Sequence, residues 1–181
     1  MIRILVIIFC LLSTRTYATT NETSLWIKNI GQSAVSIKKE APLQEIFINN
    51  LDIKRISLFV LGPYRRNLDS NNSEQYLQSI EKFISEVYAK RLLSYPSGEI
   101  QIIKNEDKGK RGTIVYSLVQ FKDRPIPVEW WVIKNKSNVN KVFDIRVSGI
   151  WIAQEQRSTF TSFLSKNNGD ISQLIQRLNS K

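Results

Sequence analysis

Residues 124–147 read RPIPVEWWVIKNKSNVNKVFDIRV, and the period of the apolar positions in that stretch decides the fold class. Ile126, Val128, Trp130 and Val132 recur at every second position; Phe143, Ile145 and Val147 do the same after a segment, 134–140, rich in Lys, Asn and Ser. A spacing of two sends alternate side chains to opposite faces of a strand, so the stretch predicts two antiparallel strands joined by a polar turn. Working towards the N-terminus, Ile100 and Ile102, then Ile114, Tyr116 and Leu118, add two more strands. Gly109 with Gly112 fits one connecting turn and Asp123-Arg124-Pro125 the other. Four strands in series predict a meander that buries the apolar residues just named.

On both sides of the meander the spacing changes to three and four. Ile27, Ile30, Ala34, Ile37 and Ala41 outline an amphipathic helix that Pro42 ends, and Pro42 opens a short second helix with Leu43, Ile46, Phe47 and Leu51. Asp52 is the expected N-cap of a third helix, which Gly62-Pro63 stops. Asn72 followed by Gln75 gives a capping-box start to the clearest helix, with Tyr76, Leu77, Ile80, Phe83, Ile84, Val87 and Tyr88 on one face and an end before Pro96. After Gly149 come Ile152, Ala153, Phe160, Phe163 and Leu164; Asp170 and Gln173 then cap a last helix carrying Ile171, Leu174, Ile175 and Leu178. Helices, four strands and returning helices predict an α+β fold, with the helices gathered on one face of the sheet.

The chain has 181 residues, 42% of them hydrophobic and 23% charged, which suits one ordinary domain. It has no histidine, so a His-based triad, a His general base and a His-ligated metal are excluded. Residues 1–18 read as an export signal: Arg3, a nine-residue apolar core from Ile4 to Leu12, and Thr16-Tyr17-Ala18 at the cleavage site. Nine apolar residues are too few to span a bilayer. Cleavage after Ala18 leaves one domain, 19–181, and removes Cys10, the single cysteine. It also removes Arg3 and Arg15 and lowers the net charge from +10 to +8. A basic balance suits anionic lipid, nucleic acid or an acidic protein face, and export argues against nucleic acid.

Chemistry-bearing constellations are sparse. Of the carboxylates, Asp52 reads as a cap, Asp123 as a turn residue, and Glu129 and Asp144 as members of the strand face opposite the apolar one. No phosphate loop, metal-ligand spacing or nucleophile elbow is present, so no catalytic residue, metal site or cofactor is expected and the chain is not read as an enzyme. Lys108, Lys110, Arg111, Lys134, Lys136 and Lys141 fall in turns, as a solvated rim would. The apolar surplus fits a filled core or a lined cavity equally well, because periodicity does not distinguish them.

The segment Arg124-Pro-Ile-Pro-Val-Glu-Trp130, followed by Lys141-Val-Phe-Asp-Ile-Arg-Val-Ser-Gly-Ile150, resembles the MlaC (toluene-tolerance) family of periplasmic phospholipid-binding proteins. Gln156-Arg157-Ser158-Thr159-Phe160 is similar to that family's Arg-Ser-x-Phe helix, Leu61-Gly62-Pro63-Tyr64-Arg65-Arg66 to its Leu-Gly-x-Tyr-Arg segment, and Phe83 with Tyr88 to its Phe and Tyr positions before the first strand. The resemblance runs in order from about Ile27 to Leu178. It implies a cystatin-like curved sheet whose helices enclose an apolar cavity for acyl chains, the head group staying outside. It further implies a monomeric carrier that shuttles phospholipid between an outer-membrane lipoprotein complex and an inner-membrane ABC transporter with an MCE-domain protein, maintaining the lipid asymmetry of the outer membrane. An envelope adaptor and a hopanoid-related lipid-binding protein are the alternatives. On this reading Leu58, Phe59, Tyr116, Leu118, Trp130, Phe143 and Ile145 are the expected cavity lining; Arg65, Arg66 and Arg157 are the expected rim for partner or head-group contact. Trp131 and Trp151 depart from the family pattern, at places often basic and usually small, and would narrow the cavity mouth or alter the docking surface.

Overall fold

The alternating stretch forms the four expected antiparallel strands, β1 (Glu99–Asp107), β2 (Thr113–Phe121), β3 (Arg124–Lys134) and β4 (Asn140–Val147), and the sheet gains an unexpected fifth, β5 (Ile150–Trp151), just before the helix predicted after Gly149; all five are hydrogen-bonded in the order of the chain. The computed structural model describes residues 15–95, 98–121 and 124–180, with backbone alone for 15–21 and 121. Of the expected export signal, residues 1–14 lie outside the described residues, and 15–18 begin the first helix. The helices are α1 (Arg15–Ser36), α2 (Glu40–Asn50), α3 (Ile53–Val60), α4 (Ser70–Leu93), α5 (Ile152–Lys166) and α6 (Ile171–Asn179), with a 3₁₀ turn, Gly62–Asn67, between α3 and α4. The fold is α+β. No helix among the described residues is long and apolar enough to cross a membrane.

One face of the sheet is apolar and covered. Ile100, Val115, Val119, Ile126, Val128, Trp130, Val132 and Ile145 are all buried on it, in a register that places Val115 opposite Trp130, Val119 opposite Ile126 and Trp130 opposite Ile145. Helix α1 lies on β1 and β2, α2 packs on α4, and α6 backs α4 from outside. Helix α1 approaches the sheet closely because residue 31 is glycine: a Cβ there would stand 2.6 Å from Ile100 Cδ1 and 3.4 Å from the Trp130 ring. Gln32, on the next position, clamps the helix to the start of β1, accepting from the Ile100 N–H at 3.0 Å and donating to the Gly98 carbonyl at 3.3 Å.

The structure corrects three further expectations. Helix α1 stops at Ser36, and Ala41 with Pro42 belongs to the first turn of α2. That turn has N–H groups without intrahelical partners, so a proline costs it nothing. Helix α4 is capped by Asp69, whose carboxylate accepts from the Asn72 N–H at 2.8 Å, so Asn72 is a residue of the first turn and not its cap. Asp52 caps α3 as expected, accepting from the Arg55 N–H at 3.0 Å. The third correction is the buried side of β2, which carries Val115, Ser117 and Val119 in place of Ile114, Tyr116 and Leu118. Both sets are largely apolar, and Ser117 makes its own set look like the wetter one. Its hydroxyl is satisfied inside, donating to the Val128 carbonyl at 2.9 Å and accepting from the Trp130 indole N–H at 2.9 Å.

Between β1 and β2 the chain turns through Gly112, whose φ of +95° and ψ of −156° belong to a region that glycine alone adopts readily. A Cβ there would also meet the Val132 carbonyl oxygen at 2.1 Å. Gly112→Ala is therefore expected to lower stability by about 3 kcal/mol. Gly31→Ala should be close to neutral, since a gain in helix propensity of about 1 kcal/mol offsets displacement of the flexible Ile100 terminus. Urea unfolding of the two variants beside the parent chain checks the contrast.

Candidate functional site

The inner face of the sheet and the helices above it do not meet everywhere. Val119, Ile126, Val128, Trp130, Ile145 and Val147 from the sheet, Ala34 and Val35 from α1, Phe47 from α2, Tyr88, Leu92 and Tyr95 from α4 and its end, and Ile152 from α5 surround an apolar cavity of about 50 Å³. Phe47 and Tyr88 meet over it with ring centroids 5.5 Å apart. Each wall follows from local pattern: alternate strand residues supply the floor, while the three- and four-residue spacings of Tyr88, Leu92 and Tyr95 put one stripe of α4 over it.

Its polar edge is small. Arg91 is the charged residue among the described lining residues, and its guanidinium reaches across to α5, with Nη1 at 3.2 Å from Glu155 Oε2. Below Tyr88 lies Asp144, a buried carboxylate whose Oδ1 accepts from the Ile145 and Ala153 N–H groups, each at 2.8 Å. It thus serves the otherwise unpartnered N–H groups at the start of α5. Burial pushes its pKa from 3.8 up to about 6, even though those N–H groups favour the charged form. The buried Tyr88 hydroxyl faces this carboxylate without reaching hydrogen-bond geometry with it. Burial first, and the charge of Asp144 second, raise its pKa well above the usual tyrosine value. A second depression, of about 410 Å³, lies between α5 and α6 beside Ser158, Thr159, Lys166 and Arg177, but it is open and half polar and offers no apolar enclosure.

A family model described as MlaC protein matches residues 23–180. The chain belongs to the MlaC family. Among solved structures, a phospholipid-binding protein from Ralstonia solanacearum in complex with a phospholipid is similar to it, with a TM-score of 0.68 and 19% identity over 90% of this chain and 94% of that one. At that identity the likeness is one of fold. No curated protein matches the chain.

Within this MlaC-family fold, two of the residues expected to line a cavity do so, Trp130 and Ile145. Tyr116 and Leu118 stand on the outer face of the sheet, as the reversed orientation of β2 requires. Phe143 also faces outward, because β4 carries an irregularity opposite Trp131 and Val132 that leaves it outside the pairing. There it meets Phe59 and Trp131, each at 5.2 Å between centroids. Leu58, on α3, is 38% exposed. Trp131 and Trp151 meet edge to face with centroids 5.9 Å apart, and neither lines the cavity. Arg65 and Arg66 sit in the 3₁₀ turn, and Arg157 packs beside that turn, donating to the Phe59 carbonyl at 2.6 Å and covering the Phe59 ring at 4.8 Å. None of these three borders the cavity. Sequence reasoning does not find Val119, Val128, Phe47, Leu92 and Arg91 as site residues: the apolar ones look like any core residue, and Arg91 like any helix-terminal cation.

Asp144 makes stability depend on pH in a definite direction. The folded chain holds its proton more tightly than the unfolded chain does, so its favourable contribution is complete below about pH 4 and lost as pH rises to about 6, a change on the order of 3 kcal/mol. Urea unfolding between pH 4 and 7 should show the parent losing stability relative to Asp144→Asn by about that amount.

Proposed function

We propose that this MlaC-family chain is an exported, periplasmic phospholipid carrier that seats acyl chains between the sheet and α1, α2 and α4. The observation that carries this reading is the cavity itself, apolar on its described walls with Arg91 as its cationic edge, in a family member whose structural neighbour is a phospholipid-binding protein. At about 0.8 kcal/mol per buried CH₂, exposing two ordinary acyl chains to water costs on the order of 20 kcal/mol. A protein interior as apolar as the bilayer removes most of that barrier and makes exchange nearly isoenergetic. Direction must then come from partners: an outer-membrane lipoprotein complex on one side, and on the other an ATP-driven inner-membrane transporter with an MCE-domain protein. Residues 1–18 serve as the export signal and 19–181 as the working domain.

A cavity of about 50 Å³ is far below the 300–1,000 Å³ of sites that hold molecules of drug size or larger. Loading therefore requires the helical wall to move away from the sheet. Acyl chains entering the gap restore the dispersion attraction that the parted surfaces give up.

Lipid extraction and mass spectrometry of the chain, purified from the periplasm without detergent, are expected to give near-stoichiometric two-chain phospholipid; an empty protein with no uptake from vesicles would overturn the reading. Ile145→Asp, which places a carboxylate in the cavity wall, is expected to lose that lipid. Leu118→Asp, on the outer face, should keep it, with folding of both variants checked by circular dichroism.

A further inference from the structure

Arg91 combines three properties on one side chain. Its side chain borders the apolar cavity, is one-third exposed, and has as its partner a carboxylate from a different helix. Two other arginines near the sheet and α5 are engaged elsewhere. Arg157 donates to the Phe59 carbonyl and covers the Phe59 ring; Arg146 pairs with Glu129 at 3.0 Å, donates to the Gly149 carbonyl and lies over Trp151. Arginine is suited to such an edge, because its aliphatic stem packs with apolar groups while the guanidinium fork stays in water.

We infer that Arg91 is the phosphate-recognising group of the cavity, with Glu155 holding its guanidinium in place until the phosphate of a seated lipid displaces that carboxylate. The inference rests on the carrier reading above and deepens it. Glu155 is 45% exposed, and an ion pair so open to water is weak and easily exchanged. A phosphate presents two oxygens to the same fork and can take both N–H donors at once. Acyl chains in the cavity would hold that phosphate at its mouth, so the exchange is effectively intramolecular. Glu155 belongs to the first turn of α5, where the partial positive charge of the helix end stabilises its carboxylate once released. The site thus selects phosphate-bearing lipids over neutral lipids with the same chains, and leaves the group beyond the phosphate unread.

The test uses the purified chain stripped of lipid and then incubated with dioleoylphosphatidylcholine vesicles carrying a minor fraction of dioleoylglycerol. The ratio of the two lipids bound, corrected for vesicle composition, reads the phosphate contribution separately from total uptake. The parent chain is expected to favour the phospholipid by about tenfold or more, the size of one good charge-assisted contact. Arg91→Gln should bring the ratio close to one, Arg91→Lys should restore part of it, and Glu155→Gln should raise it above the parent value. A parent-like ratio in both Arg91 variants overturns the inference while leaving the carrier reading intact. Uptake of neither lipid by the parent overturns the carrier reading and this inference with it. Excess inorganic phosphate should leave the ratio unchanged; its collapse to the Arg91→Gln value would assign the arginine to free phosphate and overturn the lipid assignment.

Discussion

The hydroxyl of Ser117 sits inside the apolar face of the sheet, takes the indole N–H of Trp130 at 2.9 Å and gives its own proton to the Val128 carbonyl at 2.9 Å. Three consequences depend on it. It lets a serine occupy the covered side of β2, which fixes which of two nearly equivalent faces is buried. It satisfies the one polar atom of a large ring, so Trp130 can lie fully inside as part of the cavity floor. And it holds that ring where Gly31 lets α1 pass close above it. A fully apolar residue at position 117 would leave the indole N–H buried without a partner, at a cost of about 1–3 kcal/mol.

This is also where the sequence is hardest to read. The strands are visible from their period, as are the helices from theirs and from Asp52 and Asp170 at their starts. What period two does not carry is which side is inside when both are apolar: Ile114, Tyr116 and Leu118 look like a better core than Val115, Ser117 and Val119 until the partner of Ser117 is known. The same ambiguity displaces part of the expected site, since a wall predicted from the wrong face of β2 names outward residues. Phe143 departs for a different reason, an irregularity in the pairing of β4 that no local signal announces. Trp130 is legible because β3 alternates cleanly, and Ile145 because it lies past the irregularity and stays opposite Trp130.

The ties between helices and sheet are distributed unevenly, and this bears on how the interior can open. Tyr76, near the start of α4, donates its buried hydroxyl to the Ser57 carbonyl of α3 at 2.8 Å. Tyr88, Arg91 and Leu92, the residues over the cavity, lie three to four turns further along. Helix α4 is thus pinned at the end remote from the cavity, and near it the opposing surfaces are mostly apolar, with the exposed pair to Glu155 as a polar link. Apolar surfaces slide and reseat with small energetic differences, whereas breaking the Tyr76 bond would strand a buried carbonyl. On the carrier reading proposed above, the cavity would widen by a small swing of the end of α4 that borders it.

The fifth strand is only two residues long before the chain becomes α5. At the opposite margin β1 carries Glu99, Lys104, Glu106 and Asp107. A strand margin left open and apolar invites another copy to add its own strand, and from there fibrils. Here β5 covers only the end of β4, the Leu51–Val142 bridge and the Asp52 N–H donated to the Val142 carbonyl at 2.9 Å cover part of the rest, and the other margin is studded with charge. On the carrier reading proposed above, the chain parts its core to exchange cargo and meets that hazard, and both margins of the sheet limit where a partly opened molecule could begin stacking.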